Sequence, residues 1–170
     1  MVGRTLARTG WLKSALFECM LIIPIMIQAQ KDFQAVPSAM KTCVIRLQPG
    51  QDLKRSLDDY VKANHIEAAC ILTCVGSLQK AVIRYANQPD AVTLERKFEI
   101  VSLTGTLAES GSHVHISLSD EQGKTIGGHL KEGSEVYTTA EIVLGILTDV
   151  EFKRVEDPLT GYKELWIAPK

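Results

Sequence analysis

The chain has 170 residues, 45% hydrophobic and 23% charged, a globular balance that excludes a disordered, collagen-like or polytopic membrane protein. Lys plus Arg number 19 against 20 Asp plus Glu, with a pI near 6.4, so function does not rest on a broad basic footprint for nucleic acid. This length fits one domain, or one domain plus a tail.

The chain opens with Arg4, Arg8 and Lys13, with no acid before Glu18, and an apolar stretch covers residues 14–27. The apolar core of that stretch, residues 19–27, contains Pro24 and is shorter than the ~20 residues of a spanning helix, so no transmembrane span is expected. A basic start before an apolar stretch resembles a secretory signal, and an Arg-rich, acid-poor start equally suits a mitochondrial transit peptide. Met40 stands directly before the first strand signal, which suits an uncleaved or mis-assigned leader and a shorter cytoplasmic product. On each reading residues 1–38 are a leader and residues 39–170 the domain. Cys19 lies in the leader, and Cys43, Cys70 and Cys74 follow it without a C-x-x-C pair. Cys70 and Cys74 are ~13 Å apart along one strand, too far to bridge, so buried free thiols and a reducing compartment are expected.

Residues 42–48 alternate as a strand, with Cys43, Ile45 and Leu47 on one face. Pro49-Gly50 breaks it, and Asp52 offers a helix N-cap. Leu53, Leu57, Tyr60 and Val61 then recur at helical spacing, while Lys54, Arg55, Asp58, Asp59 and Lys62 fall on the water face, with Asp58 and Lys62 as an i,i+4 pair. The helix should end near Asn64-His65, where His65 reads as a cap or surface residue. Only strand signals follow, at residues 68–75, 80–86, 97–107, 112–119, 125–130, 136–147, 152–155 and 164–167, with a loop at 87–91 and a turn at 157–161. One principal helix among about eight strands predicts an α+β domain with a mainly antiparallel sheet of about seven to eight strands. Residues 140–147 are apolar on both faces except at Glu141, and one helix covers one face only. The second cover is another sheet layer or, preferably, another subunit.

Three of the four histidines lie between Gly111 and Leu130. Strand alternation puts His113, His115, Ser117 and Ser119 on one face and Val114, Ile116 and Leu118 on the other, so the apolar set holds the histidines out of the core. His113 and His115 are then ~6.6 Å apart along the strand. A three-residue loop, Glu121-Gln122-Gly123, with Gly123 left-handed, opposes Asp120 to Lys124 and His115 to His129. All three imidazoles then converge, whereas a two-residue loop would turn His129 to the other face. Three histidines with an open fourth position hold catalytic zinc, and such a cation polarises a carbonyl or activates water. Glu99, Glu109 and Asp120 are the carboxylates nearby; Glu99, one strand earlier, is the candidate second-shell group or fourth ligand. Gly127 and Gly128 leave room beside Ser117 for a pocket or a close backbone contact. Neither a nucleophile–base pair nor a phosphate loop is evident.

Three ordered blocks carry a family resemblance: F-E-I-V-S-L-T-G-T-L from Phe98, H-V-H-I-S-L-S-D-E-Q-G-K-T-I-G-G-H-L from His113, and T-A-E-I-V-L-G from Thr139. With P-G-Q-D-L-K-R-S-L from Pro49, they resemble the PPC domain, the plants and prokaryotes conserved domain, over residues 42–168. The resemblance implies a homotrimer, and implies that His113, His115 and His129 match the inferred metal site of the family's bacterial-type branch. It therefore implies a divalent metal of zinc type, beside which the open space at Ser117, Gly127 and Gly128 would form a small-molecule pocket. The plant branch joins this domain to AT-hooks, which need an R-G-R-P core for the minor groove. This sequence has no such core, so a DNA- or chromatin-associated module stands as the alternative, beside a non-catalytic scaffold trimer.

Overall fold

The structure, a computed structural model, describes residues 34–170. The leader reading of residues 1–38 falls almost wholly on residues 1–33, outside the described residues. Strands are β1 (Met40–Leu47), β2 (Ala69–Arg84), β3 (Val92–Leu94), β4 (Phe98–Leu107), β5 (His113–Ser119), β6 (Thr125–Leu130), β7 (Glu135–Leu147), β8 (Val150–Glu156) and β9 (Lys163–Pro169), and the single described helix is α1 (Leu53–Ala63). The main sheet is seven-stranded, in the order β1-β7-β2-β4-β5-β6, with β3 against β2, and β8–β9 form a separate hairpin. Every pairing is antiparallel, as expected for an α+β domain of this pattern. Among the described residues no helix is long and apolar enough to cross a membrane.

Two predicted strands, 68–75 and 80–86, are one 16-residue strand, β2. Gly76 and Ser77, between them, make no turn; Gly76 (φ +145°) instead sits at a bulge, and the register against β7 shifts three times along β2. Bulges bend a strand and increase its twist. The bent β2 pairs with β7 and β4 along most of its length, and its last residues, Ile83 and Arg84, reach β6. Strands β2, β4, β5 and β6 thereby close into a ring. Its interior is filled by Leu78, Ile83, Leu103, Val114, Ile116, Leu118 and Leu130. The short β3 was not expected; three residues give too little alternation to read.

Helix α1 lays Leu53, Leu57 and Val61 on the inner sheet face. Its cap is the expected one: the Asp52 carboxylate accepts from Arg55 N at 3.0 Å. It also accepts from Gly133 N at 2.5 Å, tying the helix start to the β6–β7 turn. Lys54 departs from its expected place in water. It is buried, paired with Asp58, and donates to Ser112 Oγ at 2.8 Å, while Ser112 donates to Asp58. Asp58 therefore faces back to Lys54 rather than forward to Lys62, because the loop before β5 supplies a polar third partner.

On the other sheet face Val44 is 74% exposed, and Val75 and Val101 are 56% exposed. Val44 opposes Val143 across β1–β7, and Val75 opposes Glu141 across β2–β7. This is the second face of residues 140–147, which no element among the described residues covers. A second small core of Ala68, Ala108, Val150 and Phe152 seats the β8–β9 hairpin. Cys74 is buried as expected, but Cys43 and Cys70 are only partly so, and Cys43 Sγ lies 2.8 Å from Tyr60 Oη.

Asp52→Ala removes a cap and leaves the Gly133 amide without its carboxylate. Urea unfolding is expected to give a loss of ~2 kcal/mol, with Asp52→Asn losing less.

Candidate metal centre

The site begins with the β5–β6 turn. Asp120 N donates to Lys124 O at 3.0 Å, Gly123 N donates to Asp120 O at 2.9 Å, and Gly123 has φ +77°. The Asp120 carboxylate accepts from Gln122 N at 3.1 Å and from Lys124 N at 2.9 Å. This is the expected three-residue loop, and it sets the expected register: Ser119 opposes Thr125, Ser117 opposes Gly127, and His115 opposes His129. Val114, Ile116 and Leu118 are buried on the inner face, and His113 and His115 are exposed on the outer.

The three rings meet. Their centroids are 4.8 Å (His113–His115), 5.0 Å (His113–His129) and 5.6 Å (His115–His129) apart. Nε2 of His113 and Nε2 of His115 are 3.1 Å apart, and one nitrogen from each ring lies within 4.8 Å of the others. Nitrogens at zinc's ~2.0–2.1 Å bond length and tetrahedral angles are ~3.3 Å apart. The His113–His115 pair is already near that spacing, and rotation of exposed rings covers the rest. His129 Nδ1 is buried with no hydrogen-bond partner, a costly state for a polar atom. Burial, more than the nearby Lys131, His113 and Arg84, pushes the His129 imidazole down to about 4. Burial first, then His115 and Arg154, also holds His113 below its ordinary value. Both rings are therefore neutral near pH 7, the state in which a histidine nitrogen ligates a metal. A clustered, all-imidazole donor set with one orphaned buried nitrogen fits a zinc-type cation.

The carboxylates do not join this cluster. Glu99 shares the histidine face but opposes Ser119, four residues along β5 from His115, a distance of ~13 Å. Glu109 lies 3.1 Å from His65 Nδ1, just past the helix end. Asp120 is spent on its loop and on Arg96 at 3.5 Å.

Ser117, Gly127 and Gly128 were expected to open a pocket, and only Gly128 lines the cavity that exists. A Cβ on Gly127 would stand 2.5 Å from Ile116 O, and one on Gly128 would stand 2.6 Å from Arg84 O. The glycine pair thus serves close backbone contact, letting β6 lie against β5 and β2 at once. The cavity, about 970 Å³, spreads instead over His113, His115 and His129 toward Arg84–Pro89 and the β8–β9 hairpin, where Arg154, Tyr162 and Glu164 form its other wall. The sequence reading missed these residues because they lie at the ends of two other strands, with no periodicity or motif to connect them. Arg154 donates to Thr106 Oγ1 at 2.7 Å. Ser112, the third partner of Lys54 and Asp58, immediately precedes His113, so α1 anchors the start of the ligand strand.

Fold and site together define a small, mainly antiparallel α+β domain carrying a histidine triad on one hairpin. The chain belongs to the Plants and Prokaryotes Conserved (PCC, also PPC) domain family, whose model matches residues 34–148. It is 42% identical over 135 residues to the bifunctional protein GlmU of Synechococcus sp. (strain JA-3-3Ab), covering 79% of this chain and 22% of that protein. The chain thus spans about a fifth of the length of the curated relatives it matches. Among solved structures, a hypothetical protein from Salmonella cholerae-suis (Salmonella enterica) is similar with a TM-score of 0.78 and 38% identity, over 81% of this chain and 99% of that one. A metal-containing protein from Archaeoglobus fulgidus is similar with a TM-score of 0.69 and 28% identity, over 79% of this chain and 99% of that one.

Gly128→Ala drives a methyl group into the Arg84 carbonyl and so separates β6 from β2 beside His129. A loss of ~1–3 kcal/mol is expected in chemical unfolding, the range of overpacked sites.

Proposed function

We infer that the domain, residues 39–170, binds a divalent cation of zinc type through His113, His115 and His129, and presents it to a small molecule in the adjoining cavity; residues 1–38 are a leader apart from it. The observation that carries this reading is the convergence of three imidazoles, with one nitrogen from each within 4.8 Å of the others; the partnerless, buried Nδ1 of His129 supports it. The likeness to a metal-containing archaeal protein supports it. A bound cation of this kind polarises a carbonyl or activates water. The chain's own part is to hold three imidazole donors on one hairpin and to flank them with the β8–β9 hairpin.

A nucleic-acid module is less well supported. It needs clustered, free basic groups, whereas Arg55, Lys80, Arg96, Lys153 and Lys170 are each paired with an acid.

We also propose that the protein is a homotrimer. The apolar face bearing Val44, Val75 and Val101 is the surface that partner subunits cover, and it meets the requirement that a two-face apolar strand be buried on both sides.

Protein purified without a histidine tag is expected to carry about one zinc, manganese or nickel ion per chain by plasma mass spectrometry. His115→Ala and His129→Ala are each expected to weaken metal binding by more than the ~10–100-fold typical of second-shell changes. Metal-free wild-type protein that takes up none of these ions would overturn the reading. Light scattering is expected to give three times the chain mass of 18.7 kDa, and Val44→Glu with Val143→Glu to give monomer. A monomeric wild type would end the trimer proposal.

A further inference from the structure

The cavity over the triad is cationic in a way the metal does not require. Arg84, Arg154 and Lys163 line it against one carboxylate, Glu164, which is engaged by the Thr160 hydroxyl at 3.0 Å. Arg55 pairs with Glu132 and Arg96 with Asp120, and Arg46, away from the cavity, donates to Thr139 Oγ1 at 3.2 Å; Arg84 and Arg154 form no ion pair among the described residues. Each makes one neutral hydrogen bond, Arg84 Nη1 to Gln88 O at 3.3 Å and Arg154 Nη2 to Thr106 Oγ1 at 2.7 Å. A guanidinium has five N–H donors, so most of each fork is left for another acceptor.

Strand register fixes where these forks lie. Arg84 is the direct partner of His129 across β2–β6. Thr106, which holds Arg154, is the direct partner of His113 across β4–β5. One arginine therefore flanks the triad from each side, and both are half-buried rather than splayed into solvent. Glu164 acts on Arg154 through space without forming an ion pair with it, and half-buried guanidinium groups opening on one cavity with most of their donors unused can receive a further charged oxygen acceptor.

We propose that the cavity takes a small molecule bearing an oxyanion, a carboxylate or a phosphate, gripped between Arg84 and Arg154. Tyr85 and Pro89 offer apolar wall for the rest of the ligand. The proposal deepens the metal reading and rests on it only for the ligand's second contact, an oxygen donor reaching the cation at the histidines. The grip by the arginines stands without the cation.

The test is calorimetric titration of malonate, and separately of inorganic phosphate, into untagged full-length protein, once zinc-loaded and once stripped with EDTA. At least one of the two anions is expected to bind the zinc-loaded protein with a Kd of about 1 mM or tighter. Arg84→Gln and Arg154→Gln are each expected to weaken that binding at least about tenfold with zinc content unchanged, and Arg154→Lys to weaken it less. Malonate preferred over phosphate assigns a carboxylic acid, and the reverse assigns a phosphate ester. Arg84 and Arg154 lie on different strands, so one variant remains informative if the other fails to fold. If neither anion binds, or if both Gln variants bind as the wild type does, the proposal is overturned. If no zinc is taken up and the arginine-dependent binding persists, the anion site stands and the metal reading falls.

Discussion

The histidine triad depends on one turn. The Asp120 carboxylate collects the amides of Gln122 and Lys124, and Gly123 supplies the left-handed residue that closes the loop in three. Every pairing below that turn inherits its register, down to His115 against His129. A slip of one residue reverses the faces of β6. It would bury His129 in the ring interior beside Ile116 and Leu118 and bring Ile126 and Leu130 outward. The apolar residues of β5 and β6 therefore defend the same register that the Asp120 loop initiates. The site is accordingly a by-product of core formation on one side of the hairpin and of turn chemistry at its end.

Closure of the ring explains the chemical state of the site. Because β2 bends at its bulges and reaches β6, Arg84 lies beside His129, and the histidine is desolvated on a strand that would otherwise be an edge. Desolvation disfavours the imidazolium. The geometry that brings the third nitrogen to the cluster thus also keeps it unprotonated. Gly128 is the concession that makes this possible, since no side chain fits between β6 and the Arg84 carbonyl.

The hairpin, its turn, the helix cap at Asp52 and the histidine face were legible in the sequence because each is written in short-range terms: a glycine after two polar residues, an acid before an amphipathic run, alternation over seven residues. What was not legible depends on long-range partners. Lys54 looked like a solvated helix residue until Ser112 supplied a third member for its pair with Asp58. Glu99 shared the right face but stood at the wrong end of it, because β4 runs antiparallel and its first residues meet the last of β5. The pocket was sought beside the glycines, which serve mainly close backbone packing, while its other wall comes from a hairpin whose lining residues lie about 26–36 positions beyond Gly128.

That hairpin separates the site into two parts of different standing in the chain. The three histidines, Arg84 and the ring that holds them fall within the stretch matching the family, residues 34–148, whereas Arg154, Tyr162 and Glu164 lie beyond it. The hairpin rests on its own small core of Val150 and Phe152 against Ala68 and Ala108, and touches the triad's strands through Thr106. It is in effect a cover plate, tied back to the domain where Phe152 N donates to Glu67 O at 2.9 Å and Ser110 Oγ donates to Phe152 O at 2.8 Å. A change in the hairpin reshapes the outer wall of the cavity, while the register that brings the three imidazoles together is set by β5 and β6 and stays as it is.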